Sequence, residues 1–248
     1  MPQRVLILGA TSAIAAHVAD IYAARGARLH LVGRNAQKLS ELVERCSSAA
    51  HVSSQVADFN ELSQNEGRIA EALATLGGAD VALIAHGDLG DQLASERAFE
   101  QAESVLTTNF VSVVSLLVPL ANALSAQGSG VIGVITSVAG DRGRPRNYTY
   151  GAAKGGLHVY LQGLRSRLRR AGVQVVTLKL GPVDTPMTRS HKKNALFATP
   201  GQVARSIVRA LSAGTPEAYV PWFWRVIMPV VKHTPERIFQ LLPFLSGR

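Results

Sequence analysis

Apolar strand-like runs alternate with helix-like segments from one end of the chain to the other, and no other sequence feature restricts the fold as much. The apolar runs predict strands at Arg4–Leu8, Arg28–Val32, His51–Val56, Val81–Ala85, Val131–Thr136, Val173–Leu180 and Ala218–Val220. Helical periodicity predicts helices at Ser12–Arg25, Asn35–Cys46, Leu62–Leu76, Glu96–Gln127, Thr149–Arg170 and Thr199–Ser212. Strands that are apolar on both faces and alternate with helices are typical of a parallel sheet between two helical layers. The chain is therefore predicted to have an α/β fold with a doubly wound parallel sheet.

The composition indicates one well-buried domain. Of the 248 residues, 47% are hydrophobic and 17% are charged, against a usual charged share of about 25%. This length suits one domain, so residues 1–248 are interpreted as a single domain whose last part, residues 219–248, is an apolar extension. Cys46 is the single cysteine, which excludes an internal disulfide and a cysteine-based zinc site, and no cluster has metal-ligand spacing. A reducing, cytoplasmic location is the simplest setting.

The positive charge of the chain is concentrated in its second part. Residues 1–140 contain 8 Lys and Arg and 13 Asp and Glu, whereas residues 141–248 contain 18 and 4. A basic half is typical of proteins that meet nucleic acid, an anionic membrane or an anionic substrate. The basic residues lie in separate short groups without a nucleic-acid motif, so nucleic acid ranks last among these partners.

Two stretches imitate targeting or membrane signals. The N-terminal apolar run resembles a signal peptide, but it contains a Gly-Ala-Thr-Ser sequence that fits a strand followed by a turn better. Residues 104–140 carry no charge and are long enough to span a membrane. Several polar residues and Pro119 interrupt this stretch, so we predict a buried helix of a folded domain. Such a helix can lie at a subunit interface, and the protein is then expected to form a homo-oligomer.

The turn after the first strand is a candidate pyrophosphate site. Gly9 permits a tight turn, Ser12 can cap the following helix, and the free N–H groups at that helix start can face phosphate. Ala13 and Ala15 stand where a glycine-rich fingerprint would place glycine, so an ordinary strand–helix turn remains the alternative. The candidate cofactor contacts in this turn are Gly9, Thr11, Ser12 and Ile14.

The ends of the next strands predict which nucleotide binds. Arg34 stands where an acid would bind the ribose 2′-OH of NAD, and a guanidinium suits the 2′-phosphate of NADP, with a solvated surface arginine as the alternative. Asp58 and Phe59 can border the adenine after the third strand, and Ala85 and Gly87 can let backbone approach the nicotinamide ribose after the fourth. The predicted cofactor is NADP(H).

A candidate reacting centre follows the fifth strand. Ser137 follows that strand, and Tyr150 and Lys154 are spaced i, i+4 so that phenol and ammonium share one helical face. A neighbouring cation stabilises a phenolate, which predicts a tyrosine able to give a proton to a carbonyl near neutral pH. Ser137 can hydrogen-bond the carbonyl oxygen, and Asn109 can hold a water that relays protons to Lys154.

With these residues, the chain resembles the short-chain dehydrogenase/reductase family along nearly its whole length. The family's Asn–Ser–Tyr–Lys tetrad falls on Asn109, Ser137, Tyr150 and Lys154, which are therefore the expected catalytic residues. The resemblance implies a Rossmann-type fold and, after the sixth strand, nicotinamide contacts by Gly181, Val183 and Thr185. The chain departs from the family at Leu180, where proline is usual, and in Ile84-Ala85-His86-Gly87, where Asn-Asn-Ala-Gly is usual. Tyr148 lacks a lysine four residues on, so Tyr150 is the catalytic choice.

A narrower resemblance concerns the substrate. Residues 81–90, 139–157 and 220–244 look like the reductases that complete epimerisation of polyprenylphosphoryl ribose to arabinose. That resemblance implies a lipid-linked keto-pentofuranose substrate, made by a separate flavin-dependent oxidase as a partner. Arg142, Arg144 and Arg146 in the loop after Ser137 would suit a phosphate near the carbonyl, with a solvated loop as the alternative. His86 and His191 can line the pocket, although a lone histidine is more often structural.

The C-terminal extension is predicted to dock on a membrane surface or cover a lipid-bearing substrate. Trp222 and Trp224 are the two tryptophans of the chain, and basic residues punctuate the apolar run that follows them. Thr234 is a candidate cap of a second short helix with Pro235 at its first position. The apolar positions expected to share one face of that helix are Ile238, Leu241, Leu242 and Leu245. The alternative is that this surface closes the pocket or lies in a subunit interface.

Three classes of function remain open from the sequence. The first is an NADP(H)-dependent reductase of a lipid-linked or otherwise anionic carbonyl compound, with peripheral membrane contact. The second is a soluble reductase of acyl-thioester, steroid or small ketone substrates that uses the same tetrad. The third is a non-catalytic nucleotide-binding partner protein, which the intact tetrad disfavours.

Overall fold

A computed structural model describes residues 1–189 and 193–242, so His191 and Leu245 lie outside the described residues. Seven strands form one parallel sheet: β1 (Arg4–Leu8), β2 (Arg28–Gly33), β3 (His51–Val56), β4 (Val81–Ile84), β5 (Gly130–Ser137), β6 (Val173–Leu180) and β7 (Glu217–Val220). Their order across the sheet is β3-β2-β1-β4-β5-β6-β7. The order reverses between β1 and β4, and ligands of doubly wound sheets bind beyond the strand ends at such a reversal. The predicted fold class is confirmed.

Ten α-helices connect and cover these strands within the described residues. They are α1 (Ala13–Ala24), α2 (Ala36–Arg45), α3 (Asn65–Leu76), α4 (Gln92–Arg97), α5 (Phe99–Leu106), α6 (Ser112–Gln127), α7 (Tyr148–Leu168), α8 (Pro200–Ser212), α9 (Trp224–His233) and α10 (Glu236–Leu241). Local chemistry fixes the first helix: Ser12 Oγ accepts from Ala15 N at 3.2 Å, and Gly26 ends the helix in the left-handed conformation with a φ of 69°.

The single helix predicted over Glu96–Gln127 is wrong in detail. Ala98 is extended, with φ of −142° and ψ of 123°, and separates α4 from α5. A π-helical turn over Thr107–Val111 then joins α5 to α6, with the N–H of Ser112 donating to the carbonyl of Thr107. Neither glycine nor proline marks the two irregularities, which explains why periodicity alone predicts one continuous helix.

Each face of the sheet carries its own apolar core. Helices α1, α2 and α8 pack on one face, where side chains such as Leu29 and Ile207 are completely buried. On the other face α3, α6 and α7 bury side chains such as Leu116 and Leu157. A third, smaller cluster joins Val138, next to Ser137, to the C-terminal helices. The sheet is thus covered on both sides, as continuous apolar strands require.

The uncharged stretch forms a core helix. Residues Phe99–Gln127 are long and apolar enough to cross a membrane by length and composition. However, Leu116, Leu117 and Leu120 of α6 are completely buried against the sheet. Packing of this kind gives the same hydropathy signal as a membrane span, and it accounts for the apolar character of the segment.

The C-terminal extension folds back onto the loop that follows β5. The guanidinium of Arg142 donates to the carbonyls of Val231, at 2.8 Å, and Lys232, at 3.2 Å, which terminate α9. The same guanidinium pairs with Glu236 of α10 at 2.7 Å and lies 3.9 Å from the centre of the Phe239 ring. One arginine therefore satisfies the free carbonyls of one helix and anchors the next.

The expected Thr234 cap of α10 is wrong. Thr234 does not cap the helix, because its hydroxyl donates to the carbonyl of Val230 in the preceding turn, and Pro235 occupies the cap position. Ile238 and Leu241 are exposed, whereas the buried residue of this helix is Phe239, which packs under Arg142.

Candidate active site

The predicted site residues lie at one edge of the sheet. Each follows the carboxyl end of a parallel strand: Gly9 after β1, Arg34 after β2, Gly87 after β4 and Gly181 after β6, with Ser137 closing β5. Because parallel strands all point the same way, these ends converge on one side of the molecule. The fold thus brings together residues as far apart in the sequence as Gly9 and Gly181.

The turn after β1 is built for close approach of backbone. Gly9 has a φ of 84°, and a Cβ placed on it would lie 2.6 Å from the backbone nitrogen of His86. Glycine is therefore required both by its conformation and by the strand-end loop pressed against it. Thr11, Ser12 and Ile14 follow in the turn and first residues of α1, whose unsatisfied N–H groups favour an anion.

Arg34 has a free guanidinium at the predicted 2′-phosphate position. The residue is exposed directly after β2 and forms no ion pair within the described residues. Its positive charge also reaches His86, whose pKa falls to about 3 through burial, Lys154 and Arg34, in that order. His86 is consequently neutral, and Arg34 stands on the same side of the sheet as the other strand ends.

Asp58 and Phe59 occupy different environments after β3. Asp58 is exposed and accepts from the N–H of Asn60 at 3.0 Å, so its carboxylate is accessible at the strand end. Phe59 is buried, with its ring centre 4.7 Å from that of His86. His86 Nε2 also hydrogen-bonds Ser112 Oγ at 2.8 Å, while Nδ1 has no partner among the described residues.

Gly87 is the point where three predicted residues meet. A Cβ at Gly87 would lie 2.8 Å from Asn109 Oδ1 and 3.2 Å from Lys154 Nζ. Any larger residue would therefore displace the amide, the ammonium or both. Ala85, two residues earlier, is buried and donates its N–H to the carbonyl of Leu8 at 2.8 Å, which ties the β4 loop to β1.

The Asn109 side chain is engaged with protein groups. Its Nδ2 donates to the carbonyls of Asp88, at 2.6 Å, and Val105, at 2.9 Å, and its Oδ1 accepts from Asp88 N at 3.1 Å. These bonds hold the β4 loop in place from the π-helical turn. The amide thus positions Gly87 beside Lys154, and the water relay through Asn109 stays a prediction.

Tyr150 and Ser137 form the polar pair of the reacting centre. A hydrogen bond with Ser137 favours the phenolate, but burial dominates and raises the pKa of Tyr150 to about 12. The Lys154 ammonium lies 5.6 Å from the centre of the tyrosine ring. At neutral pH Tyr150 is therefore a phenol with its proton in place, as a proton donor must be. Tyr148, in contrast, is half-exposed on the surface.

Lys154 is a buried cation with a perturbed pKa. Burial lowers the pKa of its ammonium to about 8, and Nζ donates to the carbonyl of Ile135 at 3.4 Å. Perturbed ionisable groups that lie together in a cleft are typical of catalytic sites. A protonated phenol beside a lysine near its titration point can move protons at neutral pH.

The loop after β6 is held in place by β7 and by the C-terminal extension. Gly181 donates its N–H to the carbonyl of Val220 at 2.9 Å, and a Cβ there would lie 2.0 Å from Trp224 Nε1. Val183 is buried, and Thr185 begins a short 3₁₀ turn over Pro186–Thr188. The extension therefore reaches the strand end through Trp224, whose indole N–H has no partner among the described residues.

A buried polar network behind Ser137 was not predicted from the sequence. Asp141 accepts from Lys179 Nζ at 3.0 Å and from the Tyr219 hydroxyl at 2.6 Å, and it lies 3.3 Å from His158 Nδ1. These bonds outweigh burial and hold the pKa of Asp141 below its usual range. Glu217 also pairs with Lys179, at 3.0 Å. Sequence spacing could not reveal this network, because its members lie in four separate parts of the chain: the turn after β5, α7, β6 and β7.

The arginines of the loop after Ser137 have different environments. The guanidinium of Arg142 hydrogen-bonds the end of α9 and pairs with Glu236 of α10, so it is not available to bind a phosphate. Arg144 is partly buried beside Met228, its Nε has no partner, and burial lowers the pKa of its guanidinium. Arg146 is exposed. Arg144 is therefore the arginine of this loop that combines partial burial with unused donors.

The residues at the strand ends fit a dinucleotide. Gly9 leaves a cradle that a Cβ would fill, the start of α1 offers N–H groups, and Arg34 offers an unpaired cation. Over residues 1–189 and 193–242, no group of three His, Cys, Asp or Glu side chains could hold a metal ion. The arrangement can therefore bind a phosphate-rich cofactor and move a proton beside it.

Comparison with known proteins agrees with this geometry. A family model described as short chain dehydrogenase matches residues 3–196. An uncharacterised oxidoreductase of Mycobacterium tuberculosis is 34% identical over 241 residues, which cover 96% of this chain and 96% of the relative. The resemblance to polyprenylphosphoryl keto-pentofuranose reductases stays a prediction.

Solved structures share the architecture. Levodione reductase has a TM-score of 0.81 and 22% sequence identity, with coverage of 90% of this chain and 98% of the other. A short chain dehydrogenase from Burkholderia cenocepacia in complex with NADP has a TM-score of 0.83 and 18% identity, with 97% of each chain covered. At these identities the likeness establishes the fold.

Proposed function

The chain belongs to the short-chain dehydrogenase/reductase family of oxidoreductases, and we propose that it uses NADPH to reduce a carbonyl group to a hydroxyl. The observation that carries this proposal is the buried Tyr150 phenol, which keeps its proton and has the Lys154 ammonium 5.6 Å from the centre of its ring. A proton donor and a cation in one cleft, at the strand ends where a nucleotide fits, are the groups that carbonyl reduction requires.

In the proposed mechanism Tyr150 gives its proton to the carbonyl oxygen, and Ser137 stabilises the negative charge that develops there. Lys154 stabilises the phenolate that remains. Asn109 holds the β4 loop so that Gly87 leaves room for Lys154. When bound at Gly9, the α1 start and Arg34, the cofactor supplies the hydride.

The experiment that tests this proposal measures NADPH oxidation with a panel of ketones, aldehydes and keto sugars. Tyr150→Phe removes the proton but keeps the ring, so we expect NADPH binding within about twofold of wild type and a loss of kcat of about a thousandfold. Tyr148→Phe is the matched control, because Tyr148 is exposed, and its activity should stay unchanged. Near-wild-type turnover by Tyr150→Phe would show that the assignment is wrong.

The preference for NADPH over NADH follows from Arg34. An exposed guanidinium without an ion pair can bind the 2′-phosphate, and a structural relative binds NADP. Arg34→Asp should reduce kcat/KM with NADPH by about a hundredfold and narrow or invert the preference. Arg28→Asp, at the other end of β2, is a control that changes the same charge away from the strand end. A wild-type preference for NADH would contradict this interpretation.

For the substrate, we propose an anionic carbonyl compound, with a lipid-linked keto sugar as the named candidate and a flavin oxidase as its supplier. Arg144 supports the anion, since its partly buried guanidinium has unused donors in the loop after Ser137. The second candidate is a reductase of acyl-thioesters, steroids or small ketones. If Arg144→Met impairs the reduction of anionic but not neutral ketones, the first candidate is supported.

A further inference from the structure

The helix α9 has two apolar faces, and only one of them is used by the fold. Its inner side chains Trp224, Met228 and Val231 are at most 5% exposed and pack against Val138 and Phe239. On the opposite side, Trp222 just before the helix is 75% exposed, Val226 is 65% exposed and Val230 is 64% exposed.

Val226 and Val230 are spaced i, i+4, which places them on one line of the α9 surface, and Trp222 lies in the turn that precedes the helix. The helix is already anchored through its inner face and Arg142, so the fold does not require an apolar outer face. Two more exposed apolar side chains, Ile238 at 49% and Leu241 at 77%, stand on α10. We call the exposed set of Trp222, Val226, Val230, Ile238 and Leu241 the outer apolar face.

The charges beside this face are almost all positive. Arg225, Lys232 and Arg237 are exposed and form no ion pair within the described residues. The one acid of residues 221–242 is Glu236, and Arg142 neutralises it at 2.7 Å. The outer apolar face is therefore bordered by three free cations.

We propose that the outer apolar face docks on an anionic lipid bilayer and inserts at the level of the headgroups. Exposed tryptophan, aliphatic side chains and flanking cations are the combination that the water–lipid interface selects. A second copy of the chain fits less well. In a two-fold interface the face would meet itself, so that the three cations of each copy would stand near those of the other. Lysine is also depleted from the centres of subunit interfaces.

Arg142 links this surface to the reacting centre. It lies in the loop that follows Ser137, and it holds the end of α9 and the start of α10 together. Trp224 of the same helix lies against Gly181 at the end of β6. Docking therefore fixes the orientation of the catalytic strand ends relative to the bilayer.

The intrinsic fluorescence of tryptophan can report docking on a bilayer. Of the two tryptophans of the chain, Trp222 is in the proposed surface, whereas Trp224 is 5% exposed. The full-length protein is mixed at low salt with vesicles of phosphatidylcholine containing phosphatidylglycerol, or of phosphatidylcholine alone. We expect co-sedimentation with the anionic vesicles, a blue shift of tryptophan emission, and quenching by brominated acyl chains. Trp222→Phe should remove the shift and the quenching, because Trp224 stays inside the protein.

Surface variants separate docking from the alternatives. Val226→Ser/Val230→Ser should reduce vesicle partitioning at least tenfold, and Arg225→Gln/Lys232→Gln should reduce it about fivefold for each cation removed. Leu62→Ser/Leu93→Ser, which removes two exposed leucines outside this face, is the matched control and should bind as wild type does. Melting temperature and NADPH binding verify that each variant is folded.

Three results would overturn the proposal. The first is a folded full-length protein that does not bind anionic vesicles at low salt. The second is equal binding by wild type and Val226→Ser/Val230→Ser. The third is a dimer, measured by light scattering, that Val226→Ser/Val230→Ser converts to a monomer without any vesicle binding, since the face would then be a subunit interface.

Discussion

At the residue scale, burial acts in opposite directions on the two ionisable groups of the reacting centre. It raises the pKa of Tyr150 to about 12 and lowers that of Lys154 to about 8, because in each case the neutral form is favoured. At neutral pH Tyr150 therefore holds its proton and Lys154 is mostly charged. As the pH rises, Lys154 titrates first.

The pH dependence of reduction follows from this order. We expect kcat/KM to fall as the pH rises through about 8, when Lys154 loses its proton and no longer stabilises the phenolate. Lys154→Arg keeps a positive charge at all accessible pH values, so its lower activity should not decline near pH 8. Initial rates of NADPH oxidation from pH 6 to 10 measure this difference. A decline at the same pH in Lys154→Arg would assign the ionisation to another group.

The proximity of Tyr150 and Lys154 could be predicted from the sequence, but the ionisation of the two side chains could not. Tyr150 and Lys154 share a helix, so spacing alone places them on one face. Whether a lysine lowers a tyrosine pKa depends on burial and on distance, here 5.6 Å from ammonium to ring centre. Those quantities are set by β5 and the β4 loop, which lie far away in sequence.

At the element scale, two neighbouring residues attach the loop between β5 and α7 to the rest of the molecule. Asp141 ties the loop to β6 through Lys179 and to β7 through Tyr219. Arg142, the next residue, ties it to α9 and α10. Adjacent residues of opposite charge thus fix the segment that carries Ser137 at its start.

Asp141→Asn is expected to destabilise the protein at neutral pH by about 3 kcal/mol, which lowers Tm by about 6–12 °C. The variant leaves Lys179 buried with a weaker partner. Because the folded state lowers the pKa of this carboxyl below its usual 3.8, the stabilisation is complete above that pH. It is lost as the pH falls from 3.8 toward the folded value, so the acid part of the wild-type stability curve should be steeper than that of the variant.

Thermal or urea unfolding between pH 2 and 7 measures both effects. Asp20→Asn is the control, because Asp20 pairs with Arg45 at the surface, where one ion pair contributes at most about 1 kcal/mol. If Asp141→Asn were as stable as Asp20→Asn at pH 7, the buried network would not hold the loop.

The bounds of an element could be predicted where its own residue pattern determines them. They could not be predicted where contacts with distant parts of the chain determine them. The strand β6 coincides with the predicted Val173–Leu180 because five of its eight residues are Val or Leu, and strands that are buried on both faces of a sheet are rich in these residues. The separation of α4 from α5 at Ala98 has no such signal, and Gln92 of α4 instead accepts from Thr149 N at the start of α7, at 3.0 Å. The role of Arg142 likewise could not be predicted, because its contacts are with α9 and α10, which lie far away in the sequence.

At the scale of the whole molecule, apolar side chains are exposed outside the C-terminal extension as well. Besides the outer apolar face, Val118 of α6 and Val159 of α7 are 46% and 70% exposed, and Phe99 of α5 is 70% exposed. Helix α5 packs against α7, so part of this second set lies on neighbouring helices. Exposed apolar side chains on adjacent elements are typical of protein–protein contacts.

We expect the protein to form a homo-oligomer through α5, α6 and α7. Val159→Glu should place a charge in this contact and shift the molecule toward the monomer, as measured by light scattering coupled to size exclusion. Val230→Glu is the matched control, because it introduces the same charge on α9. An oligomer that resists Val159→Glu but dissociates with Val230→Glu would move the interface to the C-terminal extension.

The π-helical turn at Thr107–Val111 amounts to an insertion of one residue into a helix. Each residue of an α-helix turns the chain by about 100°. Removing Phe110 or Val111 would therefore rotate Asn109 and everything before it by that angle relative to α6, which the buried Leu116 and Leu117 hold against the sheet. Asn109 would then no longer face Gly87. We therefore expect a single-codon deletion at this point to preserve the core of α6 and to release the loop that Asn109 holds.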